Sequence, residues 1–438
     1  MRRALMMWGM VVGVGSQALA VDLSGMIDSE GAFWKLTPET FMQKTEPGAF
    51  KWNTPGPNGE AHYPGYSNSP KLFFMGFQVY EANISFSGDL VKEAKISLFN
   101  RGDAGAIRQV EFVGLAKKIE DAVEAWIGVK AVAVPRQSLV KGNVILARRW
   151  VKSPCLITLQ WSAWRDKEVF RAEFIQLEIE SSASDSGIRN APAVAVRTGS
   201  NGKTGDLKKN LKKEVDGTVW IANMPMVDQG QKGYCAVATT ERIMRYYGSE
   251  ISEHLLAGIA NSSATAGTDA YQMLQVLKQS GATLGLNVRV LSDFTVRGFQ
   301  RMIERYNHAA KRARKKEIIL GNSINISEVY EAMDPGIVMS VRCKDMHQDL
   351  QAFQRDIIQK IDAGIPLLWG VELGLYPEAD LPQKGGGHLR LIIGYNQKKG
   401  EIVYSDSWGA DHARKTMTLD QAWAMTTMLA ALEVRNGP

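Results

Sequence analysis

Cys235 opens a stretch, Cys235 to Gly248, that reads as a helix. A thiol at a helix N-terminus is biased towards thiolate, because the dipole and the free amides there favour negative charge. A thiolate is a nucleophile. Attack on an acyl group also needs a proton donor for the leaving group and hydrogen-bond donors where the oxyanion develops. Six histidines occur: His62, His254, His308, His347 and His412 lie in polar loops or on helix faces, whereas His388 begins an apolar strand behind Gly385-Gly386-Gly387. His388 is therefore the candidate proton carrier for Cys235. The three glycines could form an ordinary turn, and they also let a bound strand approach the backbone closely.

Two further positions complete the set: Gln229, six residues before Cys235 in Asp228-Gln229-Gly230-Gln231-Lys232-Gly233-Tyr234-Cys235, and Asp406, in Tyr404-Ser405-Asp406-Ser407-Trp408-Gly409. In residue types, order and spacing this pattern resembles the papain-like cysteine peptidases. Those have a glutamine ahead of the cysteine, a later histidine on a strand, and an Asn-Ser-Trp-Gly segment. Aspartate in the third position is similar to the peptidase domains of bacteriocin exporters, which cleave after a double glycine. Ala236 stands where papain has tryptophan, a departure in the cleft but not in the chemistry. The resemblance implies a nucleophile at Cys235, an imidazolium partner at His388, an orienting carboxylate at Asp406 and an oxyanion donor at the Gln229 side-chain amide. It also implies a substrate cleft lined by Gly233, Gly387 and Trp408, and a peptide or protein substrate. Because papain relatives carry asparagine at the third position, Asp406→Asn is expected to be milder than loss of Cys235.

The segment that holds these residues, 216–438, is expected to be an α+β papain-like domain, with a helical half carrying Cys235 and an antiparallel sheet half carrying His388. At 438 residues the chain has room for a second domain. Residues 1–20 read as a signal peptide: Arg2 and Arg3, an apolar run from Ala4 to Val14, and the small residues of Ala18-Leu19-Ala20 before the expected cleavage site. The expectation is export, to the periplasm or the outside, of a protein without an integral membrane segment. Removing Arg2 and Arg3 lowers the formal charge from +6 to +4. Basic residues cluster at Lys208–Lys213 and at Lys311–Lys316; the second cluster, closing a helical stretch that begins near Phe299, reads as a solvated helix end, with contact to an envelope polyanion as the alternative, and nucleic acid is not expected.

Only Cys155, Cys235 and Cys343 occur. An odd count leaves at least one thiol unpaired in an exported protein. Cys155 and Cys343 could pair, but both sit in apolar runs that read as strands (Leu156–Leu159, Ile337–Val341), which favours buried free thiols. Neither metal-ligand spacing nor a nucleotide-binding loop is present, so no metal and no cofactor are expected.

Residues 21–180 read as a smaller α+β domain. A short helix at Thr37–Lys44 is followed by strands at 72–77, 83–86 and 94–99 with a turn at Ser87-Gly88-Asp89, an amphipathic helix from about 105 to 127, and strands at 144–151, 156–161 and 170–179. Arg101-Gly102-Asp103 reads as a turn at a strand end. Trp34, Trp52, Tyr63 and Tyr66 read as core and loop packing, with a ligand platform as the alternative. The polar, aperiodic segment 181–215 reads as a linker that permits domain motion. In the second domain helices are expected near 251–260, 268–280, 295–316 and 346–363, then strands at 366–372, 388–394, 401–405 and 415–418. The function expected from all this is an exported, bacterial-type cysteine peptidase. The rivals are transglutaminase-type acyl transfer on the same residues and a non-catalytic binding protein.

Overall fold

The computed structural model describes residues 21–27, 31–66, 68–138, 142–166, 169–181, 207–230, 233–249, 251, 253–260, 270–281, 284–293, 295–321 and 324–435. The expected signal peptide and most of the expected linker lie outside the described residues. No described helix is long and apolar enough to cross a membrane.

The N-terminal region is β-rich. It begins with β1 (Val21–Asp22) and α1 (Pro38–Lys44), a helix started by Pro38 behind a Thr37/Thr40 capping box. Then come β2 (Lys51–Thr54), β3 (Glu60–Tyr63), β4 (Leu72–Phe74), β5 (Phe77–Val79), β6 (Glu81–Ser87) and β7 (Leu90–Asn100). Gly88 and Asp89 both adopt positive φ between β6 and β7, the backbone that a tight two-residue hairpin requires. One helical turn, α2 (Arg101–Ala104), and the amphipathic α3 (Gln109–Ile127) lead to β8 (Val132–Gln137), β9 (Asn143–Lys152), β10 (Cys155–Asp166) and β11 (Val169–Ser181). Eight antiparallel strands form one sheet in the order β2-β3-β6-β7-β11-β10-β9-β8, and α3 lies across it with Phe112, Ala116, Ile119, Val123 and Ile127 buried. Trp34 and Tyr63 are core residues, as the packing reading has it.

The second region starts with β12 (Leu211–Lys213) and β13 (Val219–Ile221), followed by α4 (Cys235–Tyr246), α5 (Glu253–Ile259), α6 (Ala270–Ser280), β14 (Leu286–Asp293), α7 (Val296–Arg312), α8 (Ile326–Glu331), α9 (Pro335–Ser340) and α10 (His347–Asp362). The sheet half follows: β15 (Leu367–Leu373), β16 (Gly386–Asn396), β17 (Glu401–Ser405), β18 (Lys415–Thr418), α11 (Leu419–Met425) and β19 (Thr426–Val434). The sheet runs β12-β13-β16-β15-β19-β14, with β17 and β18 continuing from β16. Helix α4 packs on β16, and Thr239 Oγ1 donates to the Leu389 carbonyl at 3.0 Å. This bond ties the helix that begins at Cys235 to the strand that carries His388.

Four expectations need correction. Ile337–Val341 is helical rather than extended, since Asp334 caps and Pro335 starts α9, and these start signals outweigh a β-branched run. Cys343 sits on the π-turn that follows and is half-buried rather than buried, while the free thiols expected at Cys155 and Cys343 are what the structure has. Within the expected linker, Leu211–Lys213 is an edge strand paired with β13. His62, on β3, and His412, in a short helical turn, are buried rather than in polar loops, and His254 is on a helix as expected but buried; His62 Nδ1 lies 2.6 Å from Asn83 Oδ1.

The two regions touch closely. Arg245 pairs with Glu60 at 3.1 Å, and Arg171 Nη2 donates to the Gly258 carbonyl at 3.0 Å. A polar cavity of about 680 Å³ remains between them, lined by Glu60, Glu81, Lys95, Glu241 and His254 among others.

Candidate active site

Cys235 is the first residue of α4, and no side chain caps that helix. The first amides of the helix are thus left without a side-chain partner among the described residues, and the Leu389 amide of β16 lies against the thiol. His388 is buried near the start of β16. Its Nε2 meets Asp406 Oδ1 at 2.6 Å, and its Nδ1 has no bond of its own to another described group, so that edge is left to the thiol. Burial alone would push the Cys235 thiol up, but the facing His388 imidazole and its charge override it and leave the thiol below its ordinary value. His388 moves the opposite way: burial disfavours imidazolium, yet the charge and hydrogen bond of Asp406 raise it to about 9. Asp406 is fully buried, which opposes ionisation, but His388 and Arg390 hold its carboxyl well below the usual range. A thiolate beside an imidazolium is the state these three shifts favour.

Arg390 was not singled out from the sequence. It lies two residues beyond His388 on the same strand, so both side chains point to one face. Arg390 Nε donates to Asp406 Oδ2 at 2.7 Å, and Nη1 donates to both oxygens of Glu378 at 3.0 Å. Glu378 also accepts from Tyr404. The Asp406 carboxylate is thus shared between imidazole and guanidinium, with the Ser407 amide donating to Oδ1 at 2.9 Å. Strand alternation is the signal that could have found Arg390.

Arg242, two turns along α4 from Cys235, fixes the chain around this carboxylate. It is fully buried and donates to the carbonyls of Pro225 and Asp406, each at 2.7 Å, and to Ser405 Oγ. Gln229 is buried as well. Its backbone N–H donates to the Ser407 carbonyl at 2.8 Å, and its Oε1 accepts from Ser407 Oγ at 2.7 Å, which occupies the carbonyl end and leaves the amide end as the donor. Trp408 lies flat on His388, with centroids 4.3 Å apart and planes 6° from parallel. It covers the imidazole rather than standing beside it. Gly387 is exposed immediately ahead of His388, and Gly233 is half-buried two residues ahead of Cys235.

The N-terminal region reaches this site. Tyr66 Oη donates to Asp228 Oδ2 at 2.8 Å, while Asp228 Oδ1 accepts from the Gly230 amide, so the loop bearing Gln229 is held from outside its own domain. The Tyr234 phenol, next to Cys235, lies against Gly102, where a Cβ would come within 2.4 Å of its oxygen. Arg101-Gly102-Asp103 is therefore a contact between domains. Glu93, Glu178 and Glu180 form a group with carboxylate spacing suited to a cation, but Lys95 already stands 3.1 Å from Glu93 and 3.7 Å from Glu178.

Compared with known proteins, residues 221–431 match the Peptidase_C39 like family. The matched stretch contains Gln229, Cys235, His388 and Asp406. No curated protein matches the chain.

Proposed function

With residues 221–431 a domain of the Peptidase_C39 like family, in the papain-like branch related to bacteriocin-processing peptidases, we propose that this protein is a cysteine peptidase whose chemistry runs through Cys235, His388 and Asp406. The observation that carries the reading is a buried His388 bonded through Nε2 to the buried Asp406 and leaving Nδ1 for the cysteine that opens α4; the directions in which the surroundings move the two groups, thiol down and imidazole up, agree with it. The Cys235 thiolate attacks the scissile carbonyl carbon. The oxyanion forms between the Cys235 N–H and the Gln229 amide, where fixed donors meet charge only as it develops. The His388 imidazolium gives its proton to the leaving amine, and in the second half-reaction takes one from the water that releases the acyl group from sulfur. Asp406 orients the imidazole throughout, and Trp408 keeps water off it.

The test is peptide hydrolysis by the purified protein and by Cys235→Ala and His388→Ala. Each substitution should abolish turnover with unchanged far-UV circular dichroism, because members of a catalytic unit fail together. Hydrolysis surviving in both variants would sink the reading.

A further inference from the structure

Glu372 stands apart from the other buried carboxylates around β16. Asp406 is shared between His388 and Arg390, and Glu378 is held by Arg390 and Tyr404. Glu372 is only 2% exposed, and its Oε1 accepts no hydrogen bond from the described residues. Ser327 is its hydrogen-bonding neighbour, and the charge acting on it is that of another carboxylate, Glu331, with no cation among the described residues. Burial, with Glu331 adding to it against the Ser327 bond, pushes Glu372 up to about 7. A buried acid without a counter-ion is costly unless something supplies one.

Its place in the fold says where that counter-ion would come from. In the antiparallel pairing of β15 and β16, Glu372 lies opposite Gly387 and Val371 opposite His388. The Cβ that Gly387 lacks would sit 3.9 Å from Glu372 Oε2. The next two glycines are bordered the same way: Gly386 by Gln383 Nε2 at 3.6 Å and Ser327 Oγ at 3.9 Å, and Gly385 by Glu331 Oε1 at 3.8 Å. Gln383 Nε2 donates to the carbonyls of Gly385 and Gly387 and holds the segment in shape. The result is a glycine-lined notch that opens at the exposed Gly387 and ends on a carboxylate; it lies one residue along β16 from His388, whose side chain points to the other face of the strand.

We propose that Glu372, with Glu331 at the rim, receives a basic side chain, lysine or arginine, that the substrate carries within about two residues of its scissile bond, an inference that rests on the peptidase reading. The glycines leave room for the aliphatic stem, and the carboxylate takes the charged head. Recognition then costs no counter-ion already in place.

The experiment uses the full chain and matched peptides that carry arginine or its neutral isostere citrulline on either side of the cleaved bond. Cleavage is measured with the unmodified protein, and binding with Cys235→Ala by fluorescence anisotropy. Arginine should be preferred by at least about tenfold in kcat/KM and in Kd, the scale of a charge-assisted hydrogen bond, and Glu372→Gln should bring both ratios close to one. Cleavage without discrimination between arginine and citrulline overturns the role of Glu372 and leaves the peptidase reading standing. Charge-dependent binding that Glu372→Gln removes, without any cleavage, supports Glu372 as a cation site and overturns the peptidase. Neither cleavage nor charge-dependent binding overturns both.

Discussion

Asp406 has more to do than orient an imidazole, and its second partner decides what a substitution there will cost. A carboxylate offers acceptors to His388, Arg390 and the Ser407 amide at once. Asparagine offers one oxygen and must turn its NH₂ towards a donor. The family pattern by itself suggests that Asp406→Asn is milder than loss of Cys235; Arg390 adds a cost that the pattern does not show. A buried guanidinium that loses one carboxylate costs on the order of 3 kcal/mol, softened by Glu378. The loss of charge also removes what holds His388 up at about 9. Activity needs the imidazolium, so in the unmodified protein it persists up to about pH 9 and falls as the proton leaves. In Asp406→Asn the same fall should begin at lower pH, with a lower melting temperature. Rate profiles against pH and thermal denaturation check this; an unmoved alkaline limb would show that Asp406 does not set the imidazole. The grouping of Cys235, His388, Asp406 and Gln229 was legible because few residue types can do the chemistry proposed for them and their spacing is distinctive. Arg390 and Ser407 were not, since arginine and serine are common and their role is defined only by what they touch.

Elements were legible where their signal is local. The β6–β7 turn is dictated by Gly88 and Asp89, and α3 by the spacing of its apolar residues. β19 was missed because its Ala-Leu stretch carries no strand signal of its own and it is a strand on account of β14, in a register that joins Leu286 to Val434 across the whole domain, whereas β14 was missed although Leu286-Asn287-Val288-Arg289-Val290 alternates as a strand does. The same non-local logic applies to the link between α4 and β16. Cys235 and His388 meet because two elements far apart in sequence are locked together, and Thr239 makes the polar part of the lock. Thr239→Val keeps the shape but leaves the buried Leu389 carbonyl without this donor, a loss of about 1–3 kcal/mol. The expected outcome is a lower melting temperature together with a lower kcat at nearly constant KM, since the thiol and imidazole drift apart while the cleft stays. A fall in stability with unchanged kcat would mean that the lock is structural only.

At the scale of the whole molecule, the N-terminal region is part of the site's support rather than a separate module on a string. Tyr66 fixes the loop of Gln229, Gly102 backs the ring of Tyr234, and Glu60 neutralises Arg245 on the helix of Cys235. The polar segment between the regions gives no hint of this, because domain contacts are made by side chains that look like ordinary surface in sequence. β12 moves the boundary of the second domain back to Leu207, since a fragment cut at 214 would lose an edge strand and expose β13. A fragment of residues 207–438 should therefore fold but turn over substrate more slowly than the full chain, with the defect in kcat, because Asp228 loses the Tyr66 bond and Gln229 is held less firmly. Adding residues 21–181 in trans should restore the rate, and the same fragment carrying Tyr66→Phe should restore it less. If 207–438 alone equals the full chain, the N-terminal region does not position the oxyanion loop, and its contacts serve some other end.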